Sequence, residues 1–530
     1  MIKTVSSLEK VFPDSFDKLR SRNAFSMLKN ERLNFQIVIL SDIDRELNIY
    51  CESDIPELVK FYKVESVPVK RCCYDDSDDY YISKEPGLFP DLLIPIGGRI
   101  SVSENKAESV WVEVCGDSET IGTKTLKFTA GEETAEVSVN IINALLPEQK
   151  LVYTNWYHAD CLCDYYGVEA MSNDFWCINR NFIETAVNHG QNCILTPLFT
   201  PALDTAEGGE RTTIQLIGVK RNGCKYEFDF SLLTKWINLC KECGIKYFEM
   251  SPLFTQWGAE HSPKVMAATE NGEKERIFGW ETSTASEEYY DFIRQLGAAL
   301  CEYIDGNSLT EKVFFHISDE PGDDNLETYK KHSSLINEVF GKYKTMDALS
   351  SFEFYRNGAM DIPVPSEGHI DEFAGKVPCL WTYYCCGQHK EFLPNRFIAM
   401  PSLRNRILGF LGWRYGLSGF LQWGYNFYNS QLSLKRINPY ETADADGAFP
   451  AGDPFVVYPA PGGEPYCSLR IKVFYDALQD MRALTLLESL IGREKTEEII
   501  GDINFKNYPH DDEYLLSARE KVNEIIASTI

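Results

Sequence analysis

Two neighbouring carboxylic acids, Asp319 and Glu320, are the residues of this sequence best suited to chemistry. They follow a short apolar run, 313–317, whose β-branched and aromatic side chains are typical of a buried strand. Catalytic groups gather where the strands of parallel barrels end, and a bend there allows both acids to face one cavity. Like charges packed together separate the two pKa values, leaving one acid protonated and one ionised. That division of roles suits cleavage of a glycosidic bond, whereas the plainer interpretation is a solvated turn that ends at Pro321.

The charge balance narrows the class of partner. The chain of 530 residues carries 52 Lys and Arg against 79 Asp and Glu, a formal net charge of −27. Such an acidic surface repels phosphate backbones and anionic lipids, so we expect neither nucleic acid nor a membrane as partner. Aromatic residues make up 13% of the chain. Part of them must fill the core, and the rest could stack on the apolar faces of a sugar.

The cysteines and the N-terminus indicate a reducing compartment. The first residues contain no long apolar segment of a signal peptide, and no apolar run approaches the roughly 18 residues of a membrane span. We therefore expect a cytoplasmic protein with reduced thiols. Cys240 and Cys243 have the spacing of half a zinc site, but they end a predicted helix capped by Gly244, and no second such pair exists. We expect no metal and no cofactor.

Residues 1–147 are predicted to form a β-sandwich. Alternating or β-branched runs separated by Gly, Asp, Ser and Pro clusters indicate strands, and no long helix competes with them. The acidic segment 75–79 lacks the spaced ligands of a calcium loop, so we interpret it as solvated surface. The predicted strands are 34–40, 109–114, 125–128 and 135–141.

Residues 148–465 are predicted to form an α/β domain, a (β/α)8 TIM-like barrel, because strands there alternate with amphipathic helices. The remaining residues, 466–530, have helical periodicity and are predicted to pack on the barrel as C-terminal helices. The eight barrel strands are predicted at 151–157, 192–198, 246–251, 313–317, 344–349, 361–365, 379–384 and 419–423.

The predicted strand ends carry clusters of polar and aromatic side chains, an arrangement for which a purely structural protein has no need. Two histidines nevertheless have a structural interpretation. We interpret His158 as a packed, hydrogen-bonded residue rather than a catalyst, and His316, inside a strand, as part of the barrel core. The clusters occupy 154–160, 196–204, 249–257, 381–384 and 422–426.

Four segments together resemble glycoside hydrolase family 123 and its wider relatives. They are 319–321 after a strand, 419–426, 453–459, and 468–470 at the start of a helix. The resemblance implies an exo-acting, retaining β-N-acetylgalactosaminidase with Asp319 and Glu320 as the catalytic pair. The 2-acetamido oxygen of the substrate would attack the anomeric carbon and form an oxazolinium ion. Asp319 would orient the acetamido N–H as a carboxylate, and Glu320 would protonate the leaving oxygen and then deprotonate water.

Further residues are candidates for substrate contacts because they lie at the predicted rim of the barrel. Tyr383 or Tyr384 could donate its hydroxyl to the acetamido oxygen, and the indoles of Trp381 and Trp423 could form the floor and wall of the pocket. The candidates for binding sugar hydroxyls are Asn426, Asp347, His158 and Asp204.

Other functions remain open at this stage. A glycosidase specific for N-acetylglucosamine, or for a sugar without an acetamido group, would fit the same scaffold. A carbohydrate-binding protein with an inactive barrel is a second alternative, and a metal hydrolase is a third. Neither the linkage, the aglycone nor the oligomeric state is predicted.

Overall fold

The structure is a computed structural model that describes residues 1–256, 259–269, 272–320 and 326–530. Two residues of the predicted strand ends, Trp257 and Pro321, lie outside these ranges. The acid pair at 319 and 320 lies inside them, at the end of one described segment.

The N-terminal residues are rich in strands, as the alternating pattern predicted. In the described chain they contribute to two sheets, whose apolar residues share one hydrophobic core that includes Phe35 and Phe128. The sandwich arrangement itself remains a prediction. The first sheet contains Ile2–Ser6, Arg32–Leu40, Ala107–Cys115, Val59–Val69, Gly87–Pro95, Pro465–Ser468 and Val457–Pro459, in spatial order. The second sheet contains Ala24–Lys29, Glu133–Leu145, Gly122–Ala130, Arg45–Glu52 and Arg99–Val102.

The first sheet is completed by strands from far along the chain. Pro465–Ser468 pairs antiparallel with Gly87–Pro95 and also with Val457–Pro459. These two late strands follow the last barrel strand, so the chain pairs across both predicted boundaries, 147 and 465. The division into three domains therefore stays a prediction from the sequence.

The eight predicted barrel strands are present, and each end lies within two residues of its expected position. In the described residues they form one parallel sheet with the spatial order β6-β5-β4-β3-β2-β1-β8-β7. The sheet is nearly closed, because Tyr383 N donates to Pro365 O at 3.1 Å between its outer strands. A TIM-like barrel is consistent with this arrangement. The strands are β1 (Val152–Asn155), β2 (Cys193–Thr196), β3 (Tyr247–Met250), β4 (Val313–His316), β5 (Lys344–Ala348), β6 (Ile362–Val364), β7 (Trp381–Tyr383) and β8 (Gly419–Gln422).

Helices separate the barrel strands and follow the barrel. The helix Asn173–Asn188 begins at Asn173 because Ser172 Oγ accepts a hydrogen bond from Phe175 N and caps the first turn. The helices of the described chain are Ala159–Tyr166, Asn173–Asn188, Ser231–Cys243, Glu287–Gly306, Leu326–Phe340, Phe352–Arg356, Ser402–Arg406, Leu408–Tyr415, Leu469–Ile491, Arg493–Ile500 and Asp512–Thr529.

The helix Leu469–Ile491 joins the barrel to the first sheet through buried ion pairs. Arg470 donates two hydrogen bonds of 2.9 Å to the Asp91 carboxylate. Lys472 Nζ donates to Glu113 Oε2 at 2.7 Å. Removing one partner of such a buried pair leaves an uncompensated charge, so these contacts hold the sheet to the barrel in one arrangement.

A small sheet beside the barrel was not predicted. Three of its four strands in the described residues carry several charged side chains, which weakens their sequence signal, and the fourth, Val265–Ala268, is apolar but only four residues long. The strands of this small sheet are Lys225–Asp229, Gly218–Asn222, Val265–Ala268 and Lys274–Phe278, in spatial order.

No described helix is long and apolar enough to span a lipid bilayer.

Candidate active site

The chain turns sharply after β4 and brings both acids to the same side. Asp319 has φ +97° and Glu320 has φ +46°, backbone angles that residues other than glycine rarely adopt. The end of β5 holds this turn: Ser318 N and Asp319 N donate to the Asp347 carboxylate at 3.1 and 2.9 Å, and Glu320 N donates to Ala348 O at 3.0 Å. Strain of this kind persists where surrounding contacts fix it, and it is common at functional sites.

A cavity of about 240 Å³ lies at the carboxyl ends of the strands. Its lining includes six of the residues predicted from the sequence, and it also includes side chains that were not singled out. The predicted members are Asp319, Glu320, Tyr383, Trp423, His158 and Asp204, and the others include Trp156, Gln256, Cys385, Cys386, Gln431 and Phe449.

The two acids have different surroundings. Asp319 is only 4% exposed, whereas Glu320 is exposed at the mouth of the cavity. Tyr383 donates its hydroxyl to Glu320 Oε1 at 3.0 Å. Burial raises the pKa of Tyr383 well above its usual value, and the Glu320 carboxylate adds to this, so the phenol remains a donor.

A histidine behind Asp319 lies among three carboxylates. His316 Nδ1 is 2.9 Å from Glu249 Oε1 and shares a hydrogen bond with it. His316 Nε2 lies 3.2 Å from Asp347 Oδ1 and 3.7 Å from Asp319 Oδ1. Both contacts are within the range of an ion pair, and neither is a hydrogen bond in the described structure. Burial lowers the pKa of His316, but the carboxylates outweigh it and raise that pKa well above the ordinary value. His316 is therefore an imidazolium that balances buried negative charge.

Opposing influences set the protonation of Asp319. Burial raises its pKa, and the neighbouring Asp347 carboxylate adds to the increase. His316 and the amide of Gln256, whose Nε2 donates to Asp319 Oδ2, oppose it. The net direction is upward, so the ionised form depends on these two neighbours.

The same cluster is the group best placed to hold a metal. His316, Asp319 and Asp347 bring one potential ligand atom each within 4.8 Å of one another. The Asp347 oxygens already accept hydrogen bonds from two backbone N–H groups and from Tyr329 Oη, the last at 2.9 Å. The ion-pair network thus accounts for this arrangement by itself, and the expectation of a metal-free site remains a prediction.

Asp204 lies in the cavity with unused acceptor capacity. It is 8% exposed and has φ +43°. Its Oδ2 has no hydrogen-bond partner among the residues described. Burial raises the pKa of Asp204 to about 6. An unpartnered buried carboxylate oxygen is costly, and a bound hydroxyl would satisfy it.

His158 is packed and hydrogen-bonded, consistent with the structural interpretation of this residue. Arg211 Nη2 donates to His158 Nδ1 at 3.1 Å, so the other ring nitrogen carries the proton and donates to Trp423 O at 3.0 Å. Burial lowers the pKa of His158 to about 4, and the Arg211 guanidinium contributes to this. The neutral ring lines the cavity with both of its nitrogens occupied.

Two predicted substrate contacts lie behind the cavity lining, and the prediction needs correction there. Asp347 is fully buried and holds the turn at the acid pair. Asn426 is also fully buried: its Oδ1 accepts from His158 N at 2.8 Å, and its Nδ2 donates to His158 O at 3.1 Å. Both residues support groups that line the cavity instead of lining it themselves.

The predictions for Trp381 in β7 and for Tyr384 directly after it also need correction. Trp381 lies inside the barrel against Gly419, where a Cβ atom would come within 2.0 Å of the indole. Tyr384 follows Tyr383 in the chain and points away from the cavity, because successive side chains at a strand alternate. Its hydroxyl donates to Asn405 Oδ1 at 3.3 Å. Of the two neighbouring tyrosines, Tyr383 is the one that lines the cavity.

The opposite wall is aromatic. Trp423 packs edge-on against Phe449, with ring centroids 5.5 Å apart, and its Nε1 donates to Asp453 Oδ2 at 2.9 Å. Burial raises the pKa of Asp453 to about 7. Gly424 allows this segment to approach, since a Cβ there would lie 2.3 Å from Pro454 O. The wall therefore depends on close backbone contact with the segment that leads to the first sheet.

Comparison with known proteins is informative once this geometry is known. The family profile described as "Glycoside hydrolase 123, catalytic domain" matches residues 156–487, more than half of the chain. The chain belongs to glycoside hydrolase family 123. It is therefore a glycoside hydrolase whose substrate is a glycan, and the resemblance read from the sequence is confirmed. A comparison with curated protein sequences found no match.

Solved structures resemble this family 123 hydrolase to different degrees. A family 123 glycoside hydrolase from Clostridium perfringens, studied for glycolipid glycan hydrolysis, is 15% identical with a TM-score of 0.76, covering 100% of this chain and 98% of that one. A family 5 mannosidase from Rhizomucor miehei is 12% identical with a TM-score of 0.32, covering 63% and 93%. The likeness to the Clostridium perfringens structure shows that the two chains share a fold. The TM-score of the mannosidase is too low to support a shared fold.

An N-terminal loop of the hydrolase reaches the barrel, which corrects the interpretation of 75–79 as solvated surface at Ser77 and Asp78, whereas Asp75, Asp76 and Asp79 are exposed. Asp78 accepts hydrogen bonds of 2.8 and 2.7 Å from Arg404, whose side chain is 0% exposed. Ser77 Oγ lies 3.0 Å from His389 Nδ1, and Tyr74 donates to Ala448 O at 3.3 Å. The loop therefore contacts the segments that carry Cys385, Cys386 and Phe449.

Three kinds of residue in the hydrolase's cavity were missed from the sequence. Gln256 lies in a predicted strand-end cluster, so its position was available but its amide was not singled out. Cys385 and Cys386 are neighbouring thiols for which no place in the site was predicted. Phe449 lies far from any predicted strand end, and no sequence signal marks it.

Proposed function

We propose that this glycoside hydrolase removes terminal β-linked N-acetylgalactosamine with retention of configuration, by substrate-assisted hydrolysis. The observation that carries the proposal is the unequal environment of Asp319 and Glu320 in one cavity. A buried carboxylate beside an imidazolium suits a charge-stabilising role, and an exposed acid at the mouth suits proton exchange with a leaving group and water.

In the first step the acetamido oxygen forms a bond to the anomeric carbon as the bond to the leaving oxygen breaks. Glu320 gives its proton to the leaving oxygen. Asp319 accepts the acetamido N–H and offsets the positive charge that develops on the oxazolinium ion. In the second step water attacks the anomeric carbon, Glu320 takes its proton, and the acetamido group is restored. Two displacements at the same carbon retain its configuration.

The rest of the cavity provides recognition in this proposal. Of the nearly perpendicular rings of Trp423 and Phe449, one stacks on an apolar sugar face and the other contacts the edge of the sugar. Asp204 Oδ2 accepts a sugar hydroxyl, and Tyr383 donates to the acetamido group or to Glu320. The volume of about 240 Å³ is below the roughly 300–1,000 Å³ usual for ligand pockets, which favours a single terminal sugar.

The choice of N-acetylgalactosamine is supported by the family resemblance. A substrate that supplies its own nucleophile explains why an adjacent acid pair suffices, without a second carboxylate about 5 Å across the sugar. The Clostridium perfringens relative acts on glycolipid glycans, and a glycan with a terminal acetamido sugar is the corresponding substrate class for this chain.

Paired variants of the two acids test the proposed roles. Glu320→Gln should lower kcat/KM on an oligosaccharide by about 10²–10⁴-fold and on an activated aryl glycoside much less, since only the first leaving group needs an acid. Asp319→Asn should lower kcat/KM on both by about 10²–10³-fold, because it removes charge stabilisation from either reaction. Equal losses for Glu320→Gln on both substrates would contradict the assignment.

Substrate choice separates this proposal from its alternatives. Aryl β-glycosides of N-acetylgalactosamine, N-acetylglucosamine and galactose should be compared under identical conditions. Strong hydrolysis of the galactoside would end the substrate-assisted mechanism, and preference for the glucosaminide would change the assigned sugar. Binding of a sugar without cleavage would indicate a carbohydrate-binding protein, and loss of activity in a chelator would indicate a metal hydrolase.

A further inference from the structure

A single glutamine connects the catalytic turn with the loop that carries Asp204. Gln256 follows β3, and its side chain lies between the two aspartates. Its Nε2 donates to Asp319 Oδ2, and its Oε1 accepts from Asp204 N. Both contacts are hydrogen bonds in the described structure, so both ends of this amide are engaged.

The backbone fixes the orientation of the amide. A main-chain N–H can only donate, so the Gln256 atom facing Asp204 N must be the carbonyl oxygen. The NH₂ group therefore faces Asp319, and Asp319 Oδ2 must act as an acceptor. A proton on Oδ2 would conflict with this contact, because two donors would then face each other.

The loop on the other side of Gln256 is itself held in place. Asp204 has φ +43°, and its carbonyl oxygen accepts from Ser433 Oγ at 2.7 Å. Arg211 Nη1 donates to Leu203 O at 2.8 Å. The Asp204 N–H is thus a fixed reference point, and it determines which end of the Gln256 amide reaches Asp319.

We propose that Gln256 is a positioning residue that keeps Asp319 in its acceptor form and holds it in register with the Asp204 loop. This inference rests on the proposed function for its consequence in catalysis, where Asp319 must accept the acetamido N–H. The orientation of the amide, however, can be tested in the resting protein without a substrate.

The groups that face Asp319 define what the glutamine adds. Among the described residues, the titratable groups around it are His316, Asp347, Glu320 and Tyr383. His316 favours the anion, and the carboxylate of Asp347 disfavours it. Gln256 is the neutral member of the set, so its hydrogen bond can favour the anion without adding charge.

The deciding variant is Gln256→Glu, which is isosteric. One carboxylate oxygen can still accept from Asp204 N, but the other then faces Asp319 Oδ2, and the two carboxyls must share a proton. We expect the Asp319 pKa to rise by at least about one unit. Gln256→Met, which removes the donor without adding charge, should raise it by less.

The first measurement is a ¹³C-NMR titration of labelled aspartate carboxyls in the resting enzyme, with Asp319 assigned from the Asp319→Asn spectrum. Gln431→Glu is the matched control, because it adds the same charge at an exposed cavity residue away from the bridge between the aspartates. Its effect on the Asp319 pKa should be much smaller. An Asp319 pKa unchanged in both Gln256 variants would overturn the proposal.

The second measurement links the inference to catalysis. On an aryl N-acetylgalactosaminide, the acidic limb of the kcat/KM profile should move to higher pH in Gln256→Glu, with kcat affected more than KM. If the wild type cleaves no acetamido glycoside, the proposed function fails while the titration still decides the role of Gln256. If Gln256→Glu does not fold, the Gln256→Met titration decides it.

Discussion

The two walls of the cavity are built differently. The acid wall, formed by Asp319, Glu320, Gln256 and Asp204, lies on the segments after β4, β3 and β2 and is held by a network of buried charge around His316. The aromatic wall, formed by Trp423, Phe449, Cys385 and Cys386, lies on the segments after β7 and β8. The aromatic wall is held from outside the barrel by the N-terminal loop and by the strands that complete the first sheet.

The difference indicates separate requirements for chemistry and for recognition. Catalysis requires groups held within a fraction of an ångström, and the hydrogen-bonded turn after β4 with its buried ion pairs provides that precision. Stacking on a sugar tolerates more variation in position, so a wall held by the N-terminal loop and the first sheet can supply it. Disturbing the acid wall should therefore reduce kcat, and disturbing the aromatic wall should mainly raise KM.

His316→Gln should have the largest effect. It removes the cation that lies among Glu249, Asp347 and Asp319, and breaking a buried ion pair costs about 3–5 kcal/mol of unfolding free energy. The turn at Asp319 should also shift, and misplacement by about 1 Å costs about 100-fold in kcat. Urea unfolding and steady-state kinetics on an aryl glycoside would measure both effects.

The pH dependence of this variant has a defined sign. The folded-state pKa of His316 lies above its ordinary value of 6.5, so its stabilisation is complete below about pH 6.5 and is lost as pH rises through the folded pKa. His332→Gln is the control, since burial lowers the pKa of that histidine to about 4. Its contribution should instead be lost as pH falls below about 6.5. Parallel pH profiles for the two variants would argue against the imidazolium.

Asp78→Asn tests the aromatic wall. Asparagine can still accept a hydrogen bond from Arg404, but the buried guanidinium loses its counter-charge, so we expect a loss of about 2–3 kcal/mol, below the 3–5 typical of a broken buried pair. KM for an aryl glycoside should rise several-fold, with kcat changed less. Asp79→Asn is the matched control, because the Asp79 side chain is 98% exposed and should contribute little. A fall in kcat at constant KM would break the comparison between the walls.

The barrel could be predicted because its strands are short and most of them are apolar and followed by a polar cluster. β4 shows this well, since its boundaries were found to within one residue. The strand Pro465–Ser468 could not be assigned to a sheet, because its partner Gly87–Pro95 lies in the N-terminal region and pairing over such a distance leaves no local pattern. Val457–Pro459 joins the same sheet through Pro465–Ser468.

The site was predictable where chemistry and strand position coincide. Asp319, Glu320 and Tyr383 were found because acids and phenols at strand ends are informative types. Trp381 was predicted as the cavity floor, but it lies two residues before Tyr383 on the same face of β7 and therefore deeper inside the barrel, against Gly419. The contact of Asp78 with Arg404 joins residues more than 300 positions apart, and no periodicity reports it.

Asp204→Asn should have the smallest effect on stability, and the effect should be favourable. Burial raises the pKa of Asp204 from 3.8 to about 6, so the folded state is penalised for ionising it. That penalty is absent below pH 3.8, grows as pH rises to about 6, and is complete at pH 7, where the variant should be more stable by about 2 kcal/mol. The curves of unfolding free energy for the two proteins should converge near pH 4. Because the variant also loses a charged acceptor for a sugar hydroxyl, kcat/KM should fall by about 10-fold. A variant more stable at neutral pH and less active would show that the acid wall sacrifices folding free energy for binding; unchanged activity would remove Asp204 from the proposed substrate contacts.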